Sequence, residues 1–308
     1  MKKTALKTLA ILFLLVAILF AVAYQPDIPV ESLKAKYANA ESKFLPLDGM
    51  DVHYRMEGQG HPLVLIHGTG ASLHTWDEWT ALLKDSFQII RMDIPAFGLT
   101  GPNATGDYTI DNYTVFLNKF LATINIDTFY LAGNSLGGRI AWNYAYAYPE
   151  QVKKLILIDA AGVPHEGGLP AVFKLARNPI TAFLLKNILP KSFIKKNMRE
   201  VYFDDSKITE ALVDRYHSMA LRAGNRQAFI DRAKLDYPDE TPKLSKINAP
   251  TLILWGQHDK WINVEDAHYF DNNIPNSFLK IYDHAGHVPM EEIAEETARD
   301  ASAFLLKK

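Results

Sequence analysis

Phe129-Tyr130-Leu131-Ala132-Gly133-Asn134-Ser135-Leu136-Gly137-Gly138 passes from an apolar, β-prone segment through a glycine-flanked serine into a helical pattern. A serine on so sharp a strand-to-helix turn takes a strained backbone, and glycines before and after it make room for the turn. The turn lifts the hydroxyl above a sheet, where the N-terminus of the following helix helps to stabilise developing negative charge. An ordinary glycine-rich connection would use the same residue types. The strand directly before, 129–132, and the helix directly after, 136–148, favour the nucleophile turn and make Ser135 the candidate nucleophile.

Outward from this turn the pattern keeps alternating. Buried strands are expected at 63–66, 87–92, 155–158, 251–255 and 278–282, and helices at 111–124, from about 264, and at 290–306. Continuous runs of leucine and β-branched residues bounded by helices predict an α/β fold, a mostly parallel central sheet with helices on both faces. Two alternating runs, 43–47 and 52–56, flank Asp48-Gly49 and predict a hairpin ahead of the parallel strands. Residues 163–245 break the alternation with scattered prolines, many charges and no convincing strand, so they read as a helical insertion seated on the sheet. The core is then 43–162 together with 246–308, and the polar stretch 25–42, with two prolines and a short helical run, reads as a spacer.

A serine hydroxyl is a weak nucleophile and needs a base, for which histidine is suited by its ordinary titration range. Among ten histidines, His287 lies in a loop just after the last strand, where it reaches the carboxyl edge of the sheet, and His284 is its nearest rival. The carboxylate that orients the base leaves the same edge; Asp259 is favoured and Asp159 remains a competitor, while Asp93 is expected to tie down its own loop. The backbone N–H groups of Leu136 and Thr69 are the candidate oxyanion donors, and His67, beside Thr69, reads as a structural histidine. His284 and His287 have no third ligand at metal-binding spacing, so no metal is expected.

These residues carry a resemblance. The order Ser135, Asp259, His287, with GNSLGG at 133–138, HGTG at 67–70, DIPAFG at 93–98 and GHVPMEE at 286–292, resembles the α/β-hydrolase family over nearly all of 43–306. The insertion 163–245 is similar to that family's cap, and the segment before the core resembles exported bacterial lipases and esterases of the cold-active, family V type. The resemblance implies an esterase or lipase working through an acyl-enzyme, on a small-molecule ester or lipid-like substrate, with no cofactor. Carbon–carbon bond hydrolysis, perhydrolase or haloperoxidase-like activity, acyl transfer and a non-catalytic ligand-binding role stay open as alternatives. Leu73, Trp76 and Trp79 near the oxyanion loop, with Phe173, Leu175, Phe183 and Leu184 in the insertion, are candidates for an acyl pocket, though core packing explains any one of them as well.

Composition narrows the classes further. With 33 basic and 35 acidic residues spread along the chain there is no field to gather nucleic acid, and with no cysteine there is neither a disulfide nor a thiol nucleophile. The oligomeric state is not legible. Lys2, Lys3 and Lys7 precede an apolar run ending at Tyr24, and residues 5–24 approach the ~20 needed to span a bilayer. Ala21-Val22-Ala23 offers a signal cleavage site, so 1–24 is an anchor or a cleaved signal, with the longer run favouring the anchor. Under either reading the lysines stay cytoplasmic and the folded body is exported.

Overall fold

The computed structural model describes residues 2–164, 170–236 and 238–307; of the insertion expected at 163–245, residues 165–169 and 237 lie outside the described residues. Eight strands form one sheet: β1 (Ser42–Leu47), β2 (Met50–Glu57), β3 (His61–Ile66), β4 (Phe87–Met92), β5 (Phe129–Asn134), β6 (Val152–Ile158), β7 (Thr251–Gly256) and β8 (Ser277–Tyr282). Their spatial order is β1-β2-β4-β3-β5-β6-β7-β8, antiparallel at the β1–β2–β4 edge and parallel from there on. The hairpin turns at Asp48-Gly49, both at positive φ, which permits the tight connection.

The helices of the chain are α1 (Lys2–Ala23), α2 (Val30–Tyr37), α3 (Asp77–Leu83), α4 (Ile110–Thr123), α5 (Leu136–Ala147), α6 (Ala171–Arg177), α7 (Pro179–Asn187), α8 (Lys191–Val201), α9 (Glu210–Ala220), α10 (Asn225–Ala233), α11 (Val264–Asn273), α12 (Pro289–Glu292) and α13 (Ala294–Leu306). Two apolar cores fill the opposite faces of the sheet. One is built around Val64, Ile66, Leu131, Leu157 and Trp255 with α4, α5 and α11; the other joins Leu65, Ile156 and Leu254 to α3 and α13. Adjacent residues of each parallel strand thus enter different cores, which is why those strands read as unbroken apolar runs. The terminal helix expected at 290–306 is two helices, interrupted at Ile293, whose ψ of 50° is not helical.

Helices α6–α10 occupy the insertion between β6 and β7. The stretch expected as a spacer is docked against the body. Leu33 of α2 packs with Leu99 and Met219, Ile28 bridges Arg222, and Asp27 holds Arg226 at 2.6 Å. Tyr37 adds a bond from its hydroxyl to the Asp214 carbonyl and accepts from Arg55 at its own carbonyl. The polar composition of this stretch concealed the docking because it runs through backbone groups, polar side chains such as Asp27 and one buried leucine. α1 contains a 20-residue apolar segment, Thr4–Ala23, long enough to cross a membrane and not buried against the body.

Candidate active site

Strand order assembles the site. β5 lies between β3 and β6, with Gly133 opposite Ile66 and Asn134 opposite Ile158. The loop after β3 therefore meets the turn after β5, and Ser135, Asp159, Asp259 and His287 leave the carboxyl ends of β5, β6, β7 and β8 in spatial sequence.

Ser135 takes φ 54° and ψ −117°, a conformation rare for a side-chain-bearing residue. Its neighbours explain why the turn is glycine-flanked. A Cβ on Gly133 would sit 2.2 Å from the Gly137 carbonyl oxygen, and a Cβ on Gly137 would sit 2.2 Å from that of Ile66. His287 Nδ1 lies 2.6 Å from Asp259 Oδ2. Asp259 Oδ1 accepts from the Trp261 and Ile262 N–H groups at 2.7 and 3.0 Å, so the carboxylate is fixed at both oxygens. Asn134 donates to the carbonyls of Ile158 and His287, tying the nucleophile turn to the histidine loop. Ser135 and His287 line one cavity of about 160 Å³, together with Gly68, Thr69 and Gly70.

Asp159 stands immediately behind this pair, fully buried, with oxygen and nitrogen atoms of Asp159, Asp259 and His287 all within 4.8 Å of one another. Burial raises its carboxyl well above the usual range, and the Asp259 charge adds to the rise. Asp93 and His67 work elsewhere: Asp93 accepts from the Leu73 and Leu99 N–H groups and meets His53, while His67 accepts from Ile94 N–H through Nε2. His284 is half-exposed between Asp283 and Glu296, which raise its pKa.

The pocket expectations need correction. Leu73, Trp76 and Trp79 are wholly buried and do not line the cavity; Trp76, at the start of α3, and Trp79, within it, pack in the core shared with α13, where Trp79 donates to Thr297. Phe183 points outward, 57% exposed, and stacks on Phe20 of α1 at 5.7 Å; Leu184 beside it is exposed too. Leu175 is outside both cavity linings, and Phe173 lines a second cavity, about 390 Å³, which also reaches Ser135, Thr69 and Leu136 and carries Arg232. The cavity shared by Ser135 and His287 is walled instead by residues such as Leu185, Leu189, Phe193, Ile194 and Met198. The i, i+1, i+5, i+8 spacing of Phe193, Ile194, Met198 and Val201 was the available signal: a helix with one apolar stripe and lysines at 191, 195 and 196.

The two glutamates of the GHVPMEE stretch were also missed as functional supports. Glu292 accepts from the N–H groups of Gly286, Phe203 and Asp204, and Glu291 accepts from Thr75, Tyr216 and Arg215. They bind the histidine loop and the inserted helices to one anchor point.

The family model described as the α/β-hydrolase fold matches residues 61–293. The chain belongs to the α/β-hydrolase fold family. This α/β hydrolase is 29% identical over 252 residues to Lipase 3 of Moraxella sp. (strain TA144), covering 80% of the chain and 77% of that protein. It is equally 29% identical over 296 residues to a 2-hydroxy-6-oxononadienedioate/2-hydroxy-6-oxononatrienedioate hydrolase of Burkholderia vietnamiensis, covering 90% of the chain and 98% of that protein. Among solved structures it is similar to a membrane phospholipase A described as a bacterial virulence factor, at 29% identity and a TM-score of 0.76, covering 99% of this α/β hydrolase and 98% of that chain.

Proposed function

We propose that this hydrolase cleaves carboxylic esters with an apolar acyl group, using Ser135 as nucleophile, His287 as base and Asp259 to orient the base. The observation that carries the reading is the apolar cavity that ends at Ser135 and His287. With Nδ1 held by Asp259, the imidazole offers Nε2 to take the Ser135 proton. Ser135 Oγ attacks the carbonyl, the N–H groups of Thr69 and Leu136 hold the oxyanion, the alcohol leaves with the proton from His287, and a water activated by His287 releases the acid. No cofactor or metal takes part in this scheme.

The organisation proposed with it is an anchor or signal at 1–24, a core at 43–162 and 246–308, and a cap at 163–245, with the body on the extracytoplasmic side. Support for a lipid-like substrate comes from α7. Its Ile180, Phe183 and Leu184 are exposed, Phe183 stacks on Phe20 of the apolar α1, and Gln25 N–H donates to the Asn187 carbonyl, so this apolar face adjoins the end of the candidate span. The kinship to lipases of the cold-active, family V type belongs to this half of the reading.

A second reading is favoured by the Burkholderia relative, whose name is that of a hydrolase of oxo-dienedioates: carbon–carbon cleavage with the same three residues. The two are separated by assaying the full chain in detergent against p-nitrophenyl esters from acetate to palmitate and against a 2-hydroxy-6-oxo-dienoate, each beside Ser135→Ala. Ester turnover lost in the variant supports the first reading, and the preferred chain length divides esterase from lipase. Turnover of the dienoate with none of the esters replaces it with the second.

A further inference from the structure

Asp159 is a buried titratable group to which the reaction as written gives no task. Its surroundings are unusually constrained. Oδ1 accepts from the Gly256 N–H at 3.0 Å, which spends one oxygen. Oδ2 is buried with no donor against it among the described residues, and the carboxyl that lies beside it belongs to Asp259. Asp259 receives hydrogen bonds from Trp261 and Ile262 N–H and sits against His287 Nδ1. It is therefore equipped with donors for a negative charge, whereas Asp159 has one N–H only. Two carboxylates with oxygens within 4.8 Å of each other and out of water do not both ionise, because each charge disfavours the other and neither has solvent to screen it. The remaining acidic neighbour, Glu292 on α12, adds negative potential at Asp159. With Asp259, His287 and Glu292 as the titratable groups facing it, Asp159 is the member of the pair that keeps its proton.

We propose that Asp159 is a positioning residue for the reaction, its carboxyl O–H donating to Asp259 so that Asp259 remains the charged partner of His287. The inference rests on the triad reading of the preceding section. A hydrogen bond from a neutral acid draws charge away from the Asp259 carboxylate and restrains its rotation. Asp259 then holds the protonated imidazole less tightly than an unsupported carboxylate would, while staying in line with it. The strand order makes this possible: β6 lies beside β7, so Asp159, the residue after Ile158, and Asp259, three residues beyond the end of β7, leave neighbouring strands at the same edge.

The test pairs two variants with one spectroscopic measurement on the full chain. In Asp159→Asn the amide nitrogen still donates to Asp259 and the amide oxygen still accepts from Gly256, so kcat/KM and its pH profile stay as in the wild type. Asp159→Leu removes the donor; the acidic limb of the kcat/KM profile moves to higher pH by about half a unit or more, with kcat falling more than KM changes. A structural defect alone lowers activity without moving the limb. If Asp159 were instead ionised, Asp159→Asn would shift the limb to lower pH, and that outcome overturns the proposal, as does an unmoved limb in Asp159→Leu. Independently of any substrate, the infrared difference between wild type and Asp159→Asn at neutral pH contains the carbonyl stretch of a protonated carboxyl. Its absence overturns the proposal even where the triad reading holds, and its presence with no ester or dienoate turnover places the failure in the triad reading.

Discussion

At the residue scale the site is a set of groups each held against its own preference. Ser135 is at positive φ, Asp159 is buried as a carboxyl, and Gly137 packs its Cα where no Cβ fits. Such strain concentrates where chemistry is done and is compensated by the surrounding fold. Replacing Gly137 with alanine should therefore cost several kcal/mol, about 2–4 by analogy with overpacking and special backbone sites, read as a lowered urea midpoint. Asp159 gives a prediction whose sign follows from linkage. Its folded pKa is raised, so above the unfolded value near ~3.9 the unfolded chain gives up a proton that the folded chain keeps. Stability from this group is complete below that value and declines as pH rises toward the folded one. Asp159→Asn lacks the decline, so its advantage over the wild type should grow as pH rises above about 4 in denaturant titrations; a constant difference would show that the two states titrate alike. The strained turn at Ser135 and the placement of His287 beyond the last strand were readable from sequence because a glycine-flanked strand-to-helix turn and a histidine after the last strand are local patterns. The choice between Asp259 and Asp159 was not, since both leave neighbouring strands at the same edge and only the 2.6 Å contact separates them.

Elements place these residues, and the helix-bearing insertion shows how far an element can be read without its partners. That 163–245 is helical follows from its composition, but which faces turn inward depends on what lies beneath. Phe183 was as apolar as Phe193, yet α7 turns the first to the surface beside α1 and α8 turns the second into the cavity. Likewise Trp76 and Trp79 sit close in sequence to the Thr69 loop, but the first caps α3 and the second lies within it, and both turn into the core. The join between insertion and core runs through Glu292. Substituting it by alanine leaves the N–H groups of Gly286, Phe203 and Asp204 without their acceptor. The expected cost is about 2–5 kcal/mol, with kcat falling because the loop bearing His287 loosens, measured by thermal melting beside steady-state kinetics. Phe183→Glu, in contrast, should leave p-nitrophenyl acetate turnover within about twofold, since surface changes are usually near neutral, and should reduce sedimentation with lipid vesicles.

For the whole molecule, acid sensitivity follows from histidines kept neutral by burial. His74 is pushed down to about 4 and His67 is lowered, burial being the first cause in both. Below ~6.5 the unfolded chain takes up protons that these folded sites refuse, so each costs up to about 1.4 kcal/mol per pH unit until its folded pKa is reached. Stability should fall between pH 6.5 and 4, and His74→Gln should flatten part of that slope in melting curves. The sequence by itself determined the α/β alternation, the glycine-flanked turn at Ser135, the loop bearing His287 and the apolar N-terminal segment, because each depends on residues adjacent along the chain: strand and helix periods, glycines around one serine, an unbroken apolar run over 9–24. Only the tertiary structure decided which carboxylate meets His287, which aromatic residues wall the cavity, and that 25–42 is docked. Those outcomes are set by strand order and by the burial of groups more than a hundred residues apart in the chain, such as Asn134 and His287, for which no local pattern carries the information.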